Sequence, residues 1–386
     1  MNSKNDAIIK LLHRTRPSEP VREERAGGAS RAAMLSNVGI ALVTAALLAF
    51  ALLPQVPQAG AVRPHVYGGL VSLVLVFFYL FYRNIRRYRP ALVSDTRKLF
   101  LLALLLLLTV ALTQYSKYFF FTFADKFQLD LATIGFALPV AAGAMLVSLL
   151  LDFHLALGFS FVVSILLGIS FQGDPFVPVY YFLCSIVAAL SVIQCKKRTA
   201  VLKAGALTAL VSFVVISGID LYRGELIARG AYDLAAGFLG AVSVSMIVSV
   251  TLPFFEALFD IATDIILLEL LDPNHPLLKD LVYKSPGTYH HSIVIGNLAE
   301  AAAEAIGENP ILARVGAYYH DVGKTHKPEY FIENQRPTEN KHDRLAPSMS
   351  SLIIASHVKE GVEVARAHRL PSSVIDIIRQ HHGTSL

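Results

Sequence analysis

The sequence predicts an all-α protein: a polytopic transmembrane helical bundle followed by a smaller, all-helical cytosolic domain. Of its 386 residues 54% are hydrophobic and only 16% charged, with a mean hydropathy of +0.53, a balance that excludes an ordinary soluble globule. Apolar segments recur at about 34–53, 66–82, 99–121, 133–151, 155–171, 176–194, 201–219 and 234–253. Each is near the roughly 20 residues that cross a hydrocarbon core as helix, and helix is the default because lipid cannot satisfy open backbone groups. Beyond the last of them the chain turns polar, and ten of its thirteen histidines lie after residue 270.

Residues 1–33 form a basic arm carrying Lys4, Lys10, Arg14, Arg16, Arg22, Arg25 and Arg31. It is too long and charged for a secretory leader and leads into an uncleaved anchor. The transmembrane region of about eight helices spans 34–253. With the amino terminus inside, inside segments hold seventeen Lys or Arg and outside loops hold five, so both termini are expected in the cytosol. The net charge of +5 reflects these flanks more than a nucleic-acid surface, and no DNA or RNA partner is expected. Cys184 and Cys195 read as free thiols in or beside an apolar span.

The 133–151 and 155–171 spans are joined only by Asp152-Phe153-His154, hence a tight hairpin whose tip is solvated or paired. Gly135, Gly143, Gly158 and Gly168 suit close helix packing. The spans look almost free of ionisable residues, which weakens a transporter reading, and 220–233 reads as a loop of mixed charge without a motif. Residues 254–272 look like one helix leaving the membrane with Glu256, Asp260, Asp264 and Glu269 on a polar side. Pro273, Pro276 and Pro286 then punctuate turns and a short helix, with His275 in a capping or surface role.

In the last domain, 254–386, Thr288 caps a helix running to about 305 whose small apolar face is Leu298, Ala301, Ala302 and Ala305. His291, seven residues before Leu298, falls on that buried face, and His290 points elsewhere. Asn309-Pro310 starts the next helix and Gly323 stops it, leaving His320-Asp321 in its last turn and Lys324 just after. Residues 326–347 are a polar loop over the site, with His326 and His342 as loop histidines. Helices at about 348–358, 360–369 and 372–382 deliver His357 and the pair His381-His382, and Gly383 ends the last.

Clustered imidazole and carboxylate, with no thiolate in this half, point to iron, manganese or zinc. A carboxylate directly after a histidine can bridge two cations, and adjacent histidines on a helix diverge by about 100°. His291, His-Asp at 320–321, His357 and His-His at 381–382, within the phrases PGTYHHS, NLAEAAAEAIG, ARVGAYYHDVGK, PEYFIENQ, ASHV and IRQHHGTSL, resemble the HD-domain metal-dependent phosphohydrolases. The branch they are most similar to is the seven-transmembrane-receptor HD hydrolases.

That resemblance implies His291, His320, Asp321, His357, His381 and His382 as ligands of two divalent ions, iron or manganese, with Asp321 bridging them and Lys324 offsetting phosphate charge. It implies opening of a cyclic dinucleotide, most specifically cyclic-di-AMP to a linear dinucleotide, at a bacterial plasma membrane, with a homodimer possible. The rivals are a phosphohydrolase on another nucleotide and a nucleotide-sensing receptor without activity. Relatives carry a large extracytoplasmic domain where only about 54–65 stands here. They also close the site with an aspartate beyond the His-His pair; Asp376 is a poor substitute, so the chain is expected to be C-terminally truncated.

Overall fold

The computed structural model describes residues 31–52, 64–88, 92, 95–127, 130–171, 174–193, 195–335 and 340–383. The basic arm before Arg31, most of the 54–65 connection and the last three residues lie outside the described residues. Every regular element described is helical. The membrane part comprises α1 (Arg31–Leu52), α2 (Pro64–Tyr88), α3 (Thr96–Phe127), α4 (Leu131–Phe136), α5 (Ala141–Leu150), α6 (Phe153–Gly168), α7 (Phe176–Leu190), α8 (Thr199–Arg223) and α9 (Leu226–Phe259).

Among the described residues five stretches are long and apolar enough to cross a membrane: His65–Arg87, Thr96–Thr122, Leu131–Leu150, Thr199–Arg223 and Leu226–Phe259. Three shorter apolar helices, Ser36–Leu52, Phe153–Gly168 and Phe176–Leu190, account for the remaining apolar segments. This is a multi-pass membrane protein. Leu210, Val214, Met246 and Val250 stay exposed on α8 and α9, as side chains facing lipid do.

The span expected at 133–151 is broken. Pro139 has no N–H to continue the ladder, so α4 ends at Phe136 and α5 resumes at Ala141. The freed carbonyls of Gly135 and Phe136 accept from the hydroxyls of Tyr181 and Tyr180, at 3.0 and 3.1 Å. Such a break survives at membrane depth because it is buried in protein. The hairpin tip behaves as expected: Asp152 caps α6 and meets the His154 ring at 3.1 Å. The glycines pack as expected too, and at Gly143 an added Cβ would stand 2.1 Å from Thr109 Oγ1. Both cysteines are free and buried.

Two readings are corrected. The 220–233 loop is two helix ends: α8 runs to Arg223, Gly224 turns the chain at φ 74°, and α9 begins at Leu226. Continuing the helices buries Asp220 and Asp233, at 0% and 3% exposure, so the bundle is not free of ionisable groups. The single helix expected over 254–272 is instead the end of α9, which runs through Pro253 to Phe259, a left-handed Asp260 at φ 54°, and α10 (Asp264–Leu270) capped by Thr263.

That junction is held by charge. Glu256 is buried, accepts from Thr263 Oγ1 at 2.5 Å and faces Arg198 Nη1 at 3.5 Å, while the Arg198 fork donates to exposed Glu269 at 2.7 and 2.9 Å. Removing the partner of a buried charge costs more than trimming an exposed one. Arg198→Ala should therefore destabilise the junction by about 2–3 kcal/mol and Glu269→Ala by under about 1 kcal/mol, read as melting temperatures of the whole chain.

The C-terminal part adds α11 (Pro276–Lys284), α12 (Pro286–Ala305), α13 (Pro310–Tyr319), α14 (Pro347–Ala367) and α15 (Ser372–Gln380). Its core is Leu267, Leu277, Leu278, Val315, Tyr319, Val322, Ala365, Val374 and Ile378. Two helices expected over 348–369 are one, α14: Gly361 does not interrupt it but is buried against Gly323 and Ile378. α15 is tied to the junction, since the Ser372 N–H donates to Asp260 Oδ1 at 3.1 Å.

Candidate metal centre

Asp321 stands at the centre of the C-terminal part, 3% exposed, at the end of α13. Its Oδ2 lies 3.0 Å from His320 Nε2 and 2.8 Å from Lys324 Nζ, and its Oδ1 lies 3.3 Å from His357 Nε2 and 3.6 Å from His381 Nε2. One carboxylate thus looks both ways, between two groups of donors whose ligand atoms lie within 4.8 Å of one another: His291, His320 and Asp321 on one side, His357, His381 and His382 on the other. All six residues singled out in the sequence converge here.

The histidine tautomers follow from the backbone. His320, His357 and His381 direct Nδ1 at the carbonyls three residues earlier, Ala317, Ile354 and Ile378, at 2.7, 2.5 and 2.8 Å. A carbonyl only accepts, so Nδ1 carries the proton and Nε2 points inward, the arrangement that backbone partners impose on metal-binding imidazoles. His357 Nε2 is 3.2 Å from both His381 Nε2 and His382 Nε2. For His357 and His381, both protonated on Nδ1, this sets acceptor against acceptor, a pairing that repels at this distance unless a cation lies between them, and this donor set of imidazoles around one carboxylate fits divalent metal.

Electrostatics agree. Burial pushes the His381 pKa down to about 4, with neighbouring His320 and His382 adding to it against the Ile378 carbonyl. Burial likewise lowers His382. Both are neutral at pH 7, with lone pairs free for metal. Burial disfavours ionised Asp321, but its close contacts with the His320 and His357 rings and with the Lys324 ammonium overcome it and hold the carboxyl well below the usual carboxylate range. Burial also opposes the His320 cation, and Asp321 more than offsets this, raising His320.

His291 reaches this site by a route the sequence misstated. Its helix starts at Pro286, and the face expected to be buried is exposed: Leu298 is 63% exposed and His291 itself faces solvent. The buried positions are Thr288, Ser292, Gly296 and Ala303, because α12 turns its small polar side toward the site. Thr288 is no cap; its hydroxyl donates to Glu333 Oε1 at 2.9 Å, and Asn334 Oδ1 accepts from the Gly287 N–H. His290 is exposed. His326 and His342 remain loop histidines, near Glu360 and on the Tyr330 carbonyl respectively. His275 stacks edge-on against Tyr319 outside the site. Asp376 pairs with Arg379 at 2.7 Å.

Lys324 is not a solvated cation. Its Nζ is held between Asp321 and Glu333 Oε1, at 2.8 and 2.9 Å, and over the Phe331 ring. Glu333 and Phe331 went unassigned in the sequence, although both lie in the PEYFIENQ phrase. The 326–335 segment folds into short 3-10 turns across the site, burying Phe331 against the His357 ring. The signal was an acid directly after the apolar pair Phe331-Ile332 in an otherwise polar stretch, 326–335. Glu333→Gln takes one charge from the Lys324 clamp and should weaken metal affinity about 10-fold, as loss of an outer partner does; metal titration of the purified chain measures it.

The seven-transmembrane receptor with intracellular HD hydrolase family matches residues 64–263, and the HD domain family matches residues 288–386. Among similar proteins is the cyclic-di-AMP phosphodiesterase PgpH of Bacillus subtilis (strain 168), 39% identical over 267 residues, covering 67% of this chain and 38% of the relative. The protein of that name from Listeria monocytogenes is 36% identical over 261 residues, covering 67% of this chain and 36% of the relative. The chain thus spans under two fifths of the length of these curated relatives. The Listeria monocytogenes PgpH HD domain, solved in complex with cyclic-di-AMP, is 56% identical, with a TM-score of 0.29 over 30% of this chain and 54% of that one.

Proposed function

This chain belongs to the family of seven-transmembrane receptors with an intracellular HD hydrolase, and from that premise we propose that it hydrolyses a phosphodiester of a cyclic dinucleotide, cyclic-di-AMP, to the linear form. The observation that carries this reading is Asp321 lying between two groups of inward-facing Nε2 atoms. The names of the Bacillus and Listeria relatives support the substrate.

In this reading His291 and His320 would hold one divalent cation, His357, His381 and His382 would hold a second, and Asp321 would serve both groups. Iron or manganese suits the donors, which include no thiolate. Such ions would supply Lewis acidity toward phosphate oxygens. The chain's own residues do the rest. The carbonyls of Ala317, Ile354 and Ile378 fix three rings in the ligating tautomer. Lys324 orients Asp321 Oδ2 and sets a fixed positive charge beside the place where phosphate charge grows. Water adds to phosphorus, the bond to the 3′ oxygen breaks, and that oxygen leaves with a proton.

The experiment is metal analysis of the purified chain, followed by hydrolysis of a panel of cyclic dinucleotides, alarmones and phosphomonoesters after loading with iron or manganese. Release of linear dinucleotide from cyclic-di-AMP is expected. Turnover of another member of the panel instead sinks the substrate, and binding without turnover leaves a receptor.

The C-terminal part and both termini belong, in this proposal, on the cytosolic side of a bacterial plasma membrane. Arg198, which opens α8, already meets Glu269 of that part, so the positively charged ends face it. Single cysteines at Arg87 and Lys341 should be labelled only from inside and one at Tyr222 only from outside; the reverse pattern inverts the topology.

A further inference from the structure

The far end of the α8–α9 hairpin holds a second cluster of carboxylates. Asp220 lies 22 residues along α8 from Arg198, about 33 Å at 1.5 Å per residue, so the cluster is at the end of the bundle remote from Asp321. Asp220 is fully buried, and among the described residues no N–H or hydroxyl donates to either of its carboxylate oxygens. The side chain beside it is another carboxylate, Asp233, 3% exposed.

Donors at this end are already committed. Thr133 Oγ1 contacts both Asp233 Oδ1 and, at 2.8 Å, Asp130 Oδ1. One hydroxyl carries one proton, so it serves one of the two carboxylates and leaves the other without it. Arg229 is taken by Asp130 and Arg223 by Asp174. Among the described residues Asp220 and Asp233 are thus neighbouring buried carboxylates with no ion pair of their own, and the Thr133 hydroxyl is the one donor at Asp233. A buried carboxylate without a donor or counter-charge is costly enough that proteins pair it.

We infer that Asp220 and Asp233, with the Thr133 hydroxyl, form a binding site for a hard metal cation at the end of the membrane bundle opposite the histidine centre. The ligand class follows from the donors: two carboxylates and a hydroxyl, with no imidazole or thiolate, select Na⁺, Mg²⁺ or Ca²⁺ over softer ions. The site is carried by the α8–α9 turn, and Asp130 with Arg229 closes its side toward α4.

The test uses the whole chain in detergent, carrying Asp321→Ala so that the histidine centre contributes no metal response. Thermal unfolding is followed while NaCl, MgCl2 or CaCl2 replaces choline chloride at constant ionic strength. One of these salts should raise the melting temperature by roughly 2–5 °C at saturation, because a ligand bound only by the folded state stabilises it. Asp220→Asn and, separately, Asp233→Asn should abolish that rise. Each should also melt higher than the parent without metal, since an amide donates to the remaining carboxylate. A folded parent that responds to pH but to none of the three cations shows a shared proton in place of a metal and overturns the proposal. A rise unchanged in both asparagine variants does the same.

Discussion

Asp321→Ala is expected to strip metal from both histidine groups at once and to lower turnover of cyclic-di-AMP on the order of 10³-fold, the upper range for losing one preorganised charge. The expectation rests on position. Oδ1 serves the His357 side and Oδ2 the His320 side, so this one carboxylate joins the two groups. Removing it leaves His357 Nε2, 3.2 Å from both His381 Nε2 and His382 Nε2, without its neighbouring negative charge, and leaves half-buried Lys324 with Glu333 as its carboxylate partner. By contrast, His382→Ala removes an exposed ligand from one group and should spare much of the other metal. Elemental analysis of the two purified variants separates these outcomes. Two metals per chain in Asp321→Ala, with turnover intact, would show that the carboxylate does not join the groups.

The six converging residues were legible because their chemistry is carried by residue type and order: His-Asp and His-His dipeptides at helix ends keep their meaning wherever the helices run. The eight apolar segments were legible from length alone. What the sequence hid is what depends on neighbours. His291 was put on a buried face by counting to Leu298, yet that face is exposed, since what α12 buries is Thr288, Ser292 and Gly296, with Gly296 against Tyr318 of α13 and Thr288 against the Glu333 turn. Asp220 and Asp233 read as loop charges because Gly224 looked like one turn residue among many. Only a two-residue turn, with both helices continuing beside it, makes them buried. Glu333 was invisible because its partner Lys324 was read as facing a substrate phosphate, and nothing in the chain order brings residue 333 beside it. The break at Pro139 is local in cause, but its tolerance depends on Tyr180 and Tyr181 more than 40 residues away.

Gly323→Ala should be among the most destructive single methyls in the C-terminal part. Gly323 was read as the stop of α13, which a left-handed glycine would provide, but its backbone is not left-handed. Its role is close approach: a Cβ there would stand 2.0 Å from the His357 carbonyl oxygen and 2.5 Å from the Gly361 amide nitrogen. Both are backbone atoms of α14, so neither can swing aside as a side chain would. Relief requires α14 to move away from the turn carrying Asp321 and Lys324, and α14 is what holds His357 against Asp321 Oδ1 at 3.3 Å. Ordinary overpacking costs about 1–3 kcal/mol, and a backbone clash on two atoms should reach about 3 kcal/mol or more. The whole chain should then melt at lower temperature and lose metal together, while Gly361→Ala, whose nearest contact is the Ile378 side chain at 3.1 Å, loses less of both. A Gly323→Ala chain that keeps its melting temperature and its metal would mean that α14 and the Asp321 turn do not pack backbone to backbone, and the geometry assigned to the centre would fall with that contact.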